Sequence, residues 1–199
     1  MPKIVDVGER RTLIADSALT VIARDGLDGA TLARVAAEAG LAIGSVRHFV
    51  PTIGEVVDLA IQRMMERVAG RINARLTREA GPAMGLEILS ELLPLDPDRH
   101  VEAAAWLALM DTGRHRPELR AHLTRLHDGT RKLARAILTP YQRKGAIAPG
   151  DQALTLEIEH LAALVDGLML AAMIAPTGVD PRMVLERHFR TLAGSKPTY

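Results

Sequence analysis

Cysteine is absent from this chain of 199 residues. That excludes disulfides, thiolate metal sites and cysteine nucleophiles, and it suits a reducing compartment. Aromatics are scarce: one Trp, two Tyr and two Phe. No charge of one sign dominates, because the net charge is +1. Long apolar runs are missing too. The longest apolar stretch, "LAALVDGLMLAAMIAP", is too short for a bilayer and carries Asp166 and Gly167. The opening residues, "MPKIVDVGERR", hold no apolar signal core. The expectation is a cytoplasmic protein with no membrane contact. The usual catalytic loops are also missing: no G-x-G-x-x-G, no Walker loop, no G-x-S-x-G and no H-E-x-x-H. Glu157 and His160 make a single Glu-x-x-His, whereas a di-iron carboxylate bundle needs that motif twice plus two further glutamates. The remaining His residues show no ligand spacing. No enzyme, no metal and no cofactor is expected.

What is present is helical periodicity. Apolar side chains make up 48% of the chain, enough for a proper core. Ile14, Ala18, Val21 and Ile22 make one stripe in a helix over residues 10–25, which "RDG" ends with Gly26 as a left-handed cap. Thr31 stands where an N-cap belongs, and Leu32, Val35, Ala36 and Ala39 follow at i, i+3, i+4, i+7. Gly40 stops this second helix. After a three-residue turn, Val46, Phe49 and Val50 make another small stripe, which Pro51 ends. Thr52 and Glu55 form a capping-box pattern that opens a long helix through Leu76. "GP" at 81–82 and "LPLDPD" at 93–98 bracket a short helix, and a further helix runs over 98–113. Pro117 opens the next one, with a stripe from Leu119 to Tyr141. Asp151 is the expected N-cap of a strongly apolar helix over 152–175, and Asp180 and Pro181 start the last. No segment alternates as a strand would. The fold class is all-α, with an N-terminal three-helix unit over 1–51 and a larger helical unit over 52–199.

Two very short helices separated by a glycine turn form a helix-turn-helix arrangement. In it the second helix lies in the DNA major groove, its N-terminal residues toward base edges. With Val46, Phe49 and Val50 inward, the outer face is Ile43, Gly44, Ser45, Arg47 and His48. Gly44 costs roughly 1 kcal/mol in a helix, which makes sense where the backbone must approach another surface closely. The charge balance resists this reading. Residues 1–50 hold six basic and six acidic side chains, whereas a nucleic-acid binder shows a basic footprint. Positive charge must therefore be sorted onto one face. The alternative is a helical protein-interaction module whose helix-turn-helix is structural only.

At these residues the sequence resembles the TetR family, the tetracycline-repressor type of bacterial regulator. The match lies in Thr31, Leu32, Val35, Ala36, Ala39, Gly40, Leu41, Gly44, Ser45 and Val46. Ala42 replaces the usual serine cap, Arg47 a common tyrosine, Val50 a phenylalanine and Ile53 a phosphate-contacting lysine. "LVDGLML" at 164–170 resembles the "DGL" segment of the BetI-like branch. The resemblance implies a homodimeric repressor of an operator on double-stranded DNA, released by a small, largely apolar effector. Ser45 and Arg47 are candidates for base edges, Arg47 forking onto guanine. Thr31, Arg34, His48 and Thr52 are placed for phosphates, and Arg10 and Arg11 for the backbone or minor groove. The resemblance also implies an effector cavity among the helices of 52–145 and a dimer interface over residues 152–194, paired as a four-helix bundle. Met64, Met65, Trp106, Met110, Leu126 and Thr130 lie on inward stripes. With Asp166 and Met169 they are the candidate ligand-binding residues, methionine suiting irregular pockets. For Asp166, a pair across the dimer, a ligand contact and a local cap all remain open.

Overall fold

A computed structural model of the chain describes residues 7–76, 83–175 and 178–194. Nine α-helices run through them: α1 (Val7–Gly29), α2 (Leu32–Glu38), α3 (Ile43–Phe49), α4 (Ile53–Leu76), α5 (Met84–Ser90), α6 (Pro97–Gly113), α7 (Arg120–Arg143), α8 (Asp151–Ile174) and α9 (Pro181–Gly194). No strand occurs among the described residues. The expected break at Gly81 and Pro82 lies outside them.

The caps explain where the short helices begin and end. The Thr31 side chain accepts from the Arg34 backbone N–H at 3.2 Å and fixes the start of α2. At its end Gly40 adopts φ +64. The Leu41 N–H donates to the Ala36 carbonyl at 2.9 Å and the Gly40 N–H to Ala37 at 3.1 Å, a Schellman closure that satisfies two carbonyls otherwise left open. Thr52 accepts from the Glu55 N–H at 3.2 Å and donates its hydroxyl to the Glu55 carboxylate at 3.0 Å. Asp96 accepts from the Arg99 N–H at 2.8 Å and opens α6.

Three details differ from the sequence expectation. Gly26 does interrupt the first helix, but with φ 73 and ψ 173 rather than a left-handed cap, and a further turn carries α1 to Gly29. Asp151 is not an N-cap. Gly150, at φ 109, takes that position without a side-chain bond, and Asp151 becomes the first helical residue, its charge beside the positive end of the helix. Pro117 opens a single 3-10 turn through Leu119 before α7 begins at Arg120.

Two apolar clusters hold the molecule together. The first is built on the fully buried Ile14, Val21, Ile22, Val35 and Val46 and takes in Val56, Ala60, Ile61 and Met64 of α4 and Ala105 and Leu109 of α6. Residues on both sides of position 51 thus share one core, and α1 packs against both α4 and α6. The second cluster joins α5, α7, α8 and α9 around Leu89, Leu138, Leu161 and Leu185. Gly85 lets these elements close up: a Cβ there would stand 2.7 Å from Ile137 Cγ2 and 3.1 Å from the Phe189 ring.

Candidate functional site

The helix-turn-helix presents one face to the core and one outward. Val46 and Val50 are buried and Phe49 is half-buried, while Ile43, Gly44, Arg47 and His48 are exposed and Ser45 is half-exposed. Ala42 caps α3 with no side-chain bond. A Cβ on Gly44 would meet nothing within 4 Å, so the protein's own packing does not require this glycine. His48 stacks edge-on against Phe49, ring centroids 5.1 Å apart. Arg11 donates to the Phe49 carbonyl at 3.2 Å, which anchors it beside the end of α3. Arg34 lies back on the Gly29 carbonyl and the Asp25 carboxylate, at 3.2 and 3.3 Å. The Thr31 and Thr52 hydroxyls serve as caps, and both residues remain exposed.

Ion pairs sort the charge of this unit. Arg24 binds Asp25 at 3.0 Å and Glu38 at 2.8 Å, and both bonds push its pKa up. Asp16 is held by Arg63 at 2.7 Å and Arg67 at 2.9 Å, both from α4. Asp28 is held by Arg116 from the turn after α6. Arginines beyond residue 51 therefore neutralise two acids of the first fifty residues. Arg10 and Arg47 make no salt bridge among the described residues.

Behind this unit, α4, α6, α7 and α8, with Glu91 and Leu92 of the turn after α5, line a half-open cavity of about 200 Å3. Met64 and Met65, Trp106, Leu126 and Thr130, and Asp166 and Met169 all line it. Met110 lies one turn beyond Trp106 and is not in the wall. Sequence reasoning passed over Val68 and Ile72, though they continue the spacing of Met64 along α4, and over Leu133 on α7. It also passed over a charged wall. Glu91 and Glu102, 3% and 5% exposed, line the cavity together with Arg99. Arg71 bonds Glu91 at 3.1 Å and Glu102 at 2.5 and 2.9 Å, Arg75 bonds Glu91 at 2.8 Å, and Arg99 approaches Glu91 at 3.4 Å. No spacing in the sequence announces this network, because its members come from three separate segments.

Asp166 is differently placed. Its one ion-pair partner among the described residues is the His127 ring nitrogen at 3.7 Å, which carries charge only when protonated, and burial pushes its carboxyl above the usual range. On the far side of α8, Glu157 approaches His160 at 3.5 Å. The His188 ring packs edge-on against His160, but among the described residues no group of three His, Cys, Asp or Glu could hold a metal ion. Nor, among those residues, is any helix long and apolar enough to cross a membrane.

The comparisons with known proteins agree with this architecture. Residues 83–194 match the family described as "BetI-type transcriptional repressor, C-terminal". The HTH-type transcriptional regulator PksA of Bacillus subtilis (strain 168) is 31% identical, over 96% of this chain and 94% of that protein. A transcriptional regulator from Rhodococcus sp. Rha1 superposes with a TM-score of 0.74 at 27% identity, over 92% of this chain and 94% of that one. Another from Saccharomonospora viridis, solved in complex with choline, superposes at 0.78 with 21% identity, over 92% and 94%. The family is one of regulators rather than enzymes. On its helix-turn-helix, its helical second part and these matches, the chain belongs to the TetR family of HTH-type transcriptional regulators, in its BetI-type branch.

Proposed function

We propose that the protein is a homodimeric, ligand-responsive repressor, reading DNA through residues 1–51 and holding its effector and its partner through residues 52–199. The observation that carries the DNA part is the exposed face of α3, with Arg47 free of ion pairs among the described residues and the buried Val46 beneath it. Two copies of α3, about 34–36 Å apart, enter successive major grooves of a pseudo-palindromic operator. Arg47 and Ser45 read base edges, Ile43 and Gly44 lie against them, and Arg10, Arg11, Thr31, Arg34, His48 and Thr52 hold the backbone. The partner covers the apolar outer face of α8 and α9. The effector enters the cavity and favours a dimer whose two α3 helices no longer match the groove spacing, a coupling that acts equally in both directions. The choline bound by the regulator from Saccharomonospora viridis supports a ligand role for a cavity in this fold.

The test is fluorescence anisotropy of the full chain against fragments of its own upstream DNA and, failing those, against genome-wide selected fragments. A regulator binds one short fragment tightly and loses affinity steeply between about 50 and 200 mM salt. Arg47→Ala should weaken that binding by about 1–3 kcal/mol and relax the preference at one base pair. No binding to any fragment would leave a helical interaction protein.

A further inference from the structure

The cavity's charges suit only one kind of ligand head. Three carboxylates line it: Glu91, Glu102 and Asp166. The first two are consumed by Arg71, with Arg75 and Arg99 also on Glu91. Asp166 has no arginine or lysine within ion-pair reach among the described residues. Arg131, the nearest candidate on α7, is forked onto Glu159 at 2.7 and 2.8 Å. The one ion-pair partner of Asp166 among the described residues is His127 at 3.7 Å, which carries charge only when protonated. An ionised carboxylate in a largely apolar wall with no permanent counter-ion is unfavourable, and a cation supplied from outside removes the penalty. Burial already holds the Asp166 carboxyl above its ordinary range, and the nearby His127 and Arg131 offset it only in part.

The kind of cation follows from what else lines the wall. A quaternary ammonium has no N–H and is held by an aromatic cage. Here Trp106 is the one aromatic ring in the wall. A protonated primary or secondary amine instead donates N–H bonds, and two acceptors are at hand: the Asp166 carboxylate and the Thr130 hydroxyl oxygen. Next to them Met64, Met65, Leu126 and Met169 offer flexible apolar surface to a hydrocarbon chain. An anion would have to take Arg99, already held by Glu91 and Asp96, or Arg125, whose side chain is exposed to water beside His122.

We propose that the effector is a protonated alkylamine, its ammonium on Asp166 and Thr130 and its chain along the methionine wall, and not a quaternary ammonium. The inference rests on the reading of the cavity as an effector site. Trp106 is the only tryptophan in the chain, so its fluorescence reports occupancy of the full-length protein directly. The titrants are octylamine, octyltrimethylammonium, octanoate and octanol. Octylamine should saturate the signal and bind roughly tenfold or more tighter than the other three, and Asp166→Asn should remove that advantage while leaving octanol unchanged. A thermal melt of Asp166→Asn checks folding, and the variant should be no less stable than the parent, having lost a half-buried charge. Tighter binding of octanoate or octyltrimethylammonium, equal binding of octanol, no binding of octylamine, or an octylamine affinity indifferent to Asp166→Asn would each overturn the proposal. Operator affinity is read separately. If octylamine binds through Asp166 yet leaves the operator complex intact, the amine site stands and the ligand-responsive reading falls.

Discussion

Gly44 occupies the first turn of α3, faces outward and has open space where a Cβ would stand. Helix propensity disfavours glycine there, and no neighbour within the chain demands it. Gly44→Ala should therefore stabilise the free protein by a few tenths to about 1 kcal/mol, as a higher melting temperature, and weaken operator binding by roughly 1 kcal/mol or more. Opposite signs from one methyl group would separate folding from reading. His188 makes a different demand. Among the described residues its buried Nε2 has no hydrogen-bond partner, and burial, aided by the His160 ring 5.1 Å away, depresses its pKa below the ordinary 6.5. A depressed imidazole contributes stability above that value and loses it as pH falls through the folded-state pKa. Thermal melts between about pH 7.5 and about pH 5 should show an acid-side loss that His188→Leu diminishes. Among single residues, the exposure of Arg47 was legible because a motif frames it. Asp166 was visible as an oddity, but what it faces depends on how α7 lies against α8.

At the scale of elements, α2, α3 and the start of α4 were readable because their stops are chemical: Thr31, Gly40 and Thr52 each close backbone groups over a span of a few residues. Asp151 misled because the same signal admits two positions one residue apart, and the positive φ available to Gly150 decided between them. Helix proximity is invisible in the pattern. Gly85 reads as an ordinary weak spot in a short helix, yet it sets how closely α5 lies on α7 and α9. Gly85→Ala adds helix propensity but drives a methyl into Ile137 and Phe189, and should destabilise by about 1–2 kcal/mol in a denaturant titration. The same blindness hid Arg71 and its two glutamates, whose segments meet only in three dimensions.

At the scale of the molecule, α8 is apolar on both sides for two reasons. Leu154, Ile158, Leu161 and Val165 fill the chain's own core and Met169 lines the cavity, while Leu156, Leu170 and Ile174 stand 64, 44 and 69% exposed along the other face. A stripe of that kind on a terminal helix pair fits a partner's matching pair. Leu170→Asp should give a monomer by sedimentation velocity with helical circular dichroism retained, and its operator affinity should fall because one α3 alone reads half a site.

The charge balance of residues 1–50, which argued against nucleic acid in the sequence, is changed by the rest of the molecule: Arg63 and Arg67 cover Asp16, and Arg116 covers Asp28. The electrostatic attraction of the reading unit is thus a property of its junction with α4 and α6. Severed at residue 51 and grafted to another regulator, it would regain two bare carboxylates and repel the phosphate backbone more strongly. A shift that parted Arg116 from Asp28 would bare a carboxylate on the reading unit, so two states that differ in this pair would differ in how steeply their DNA binding responds to salt.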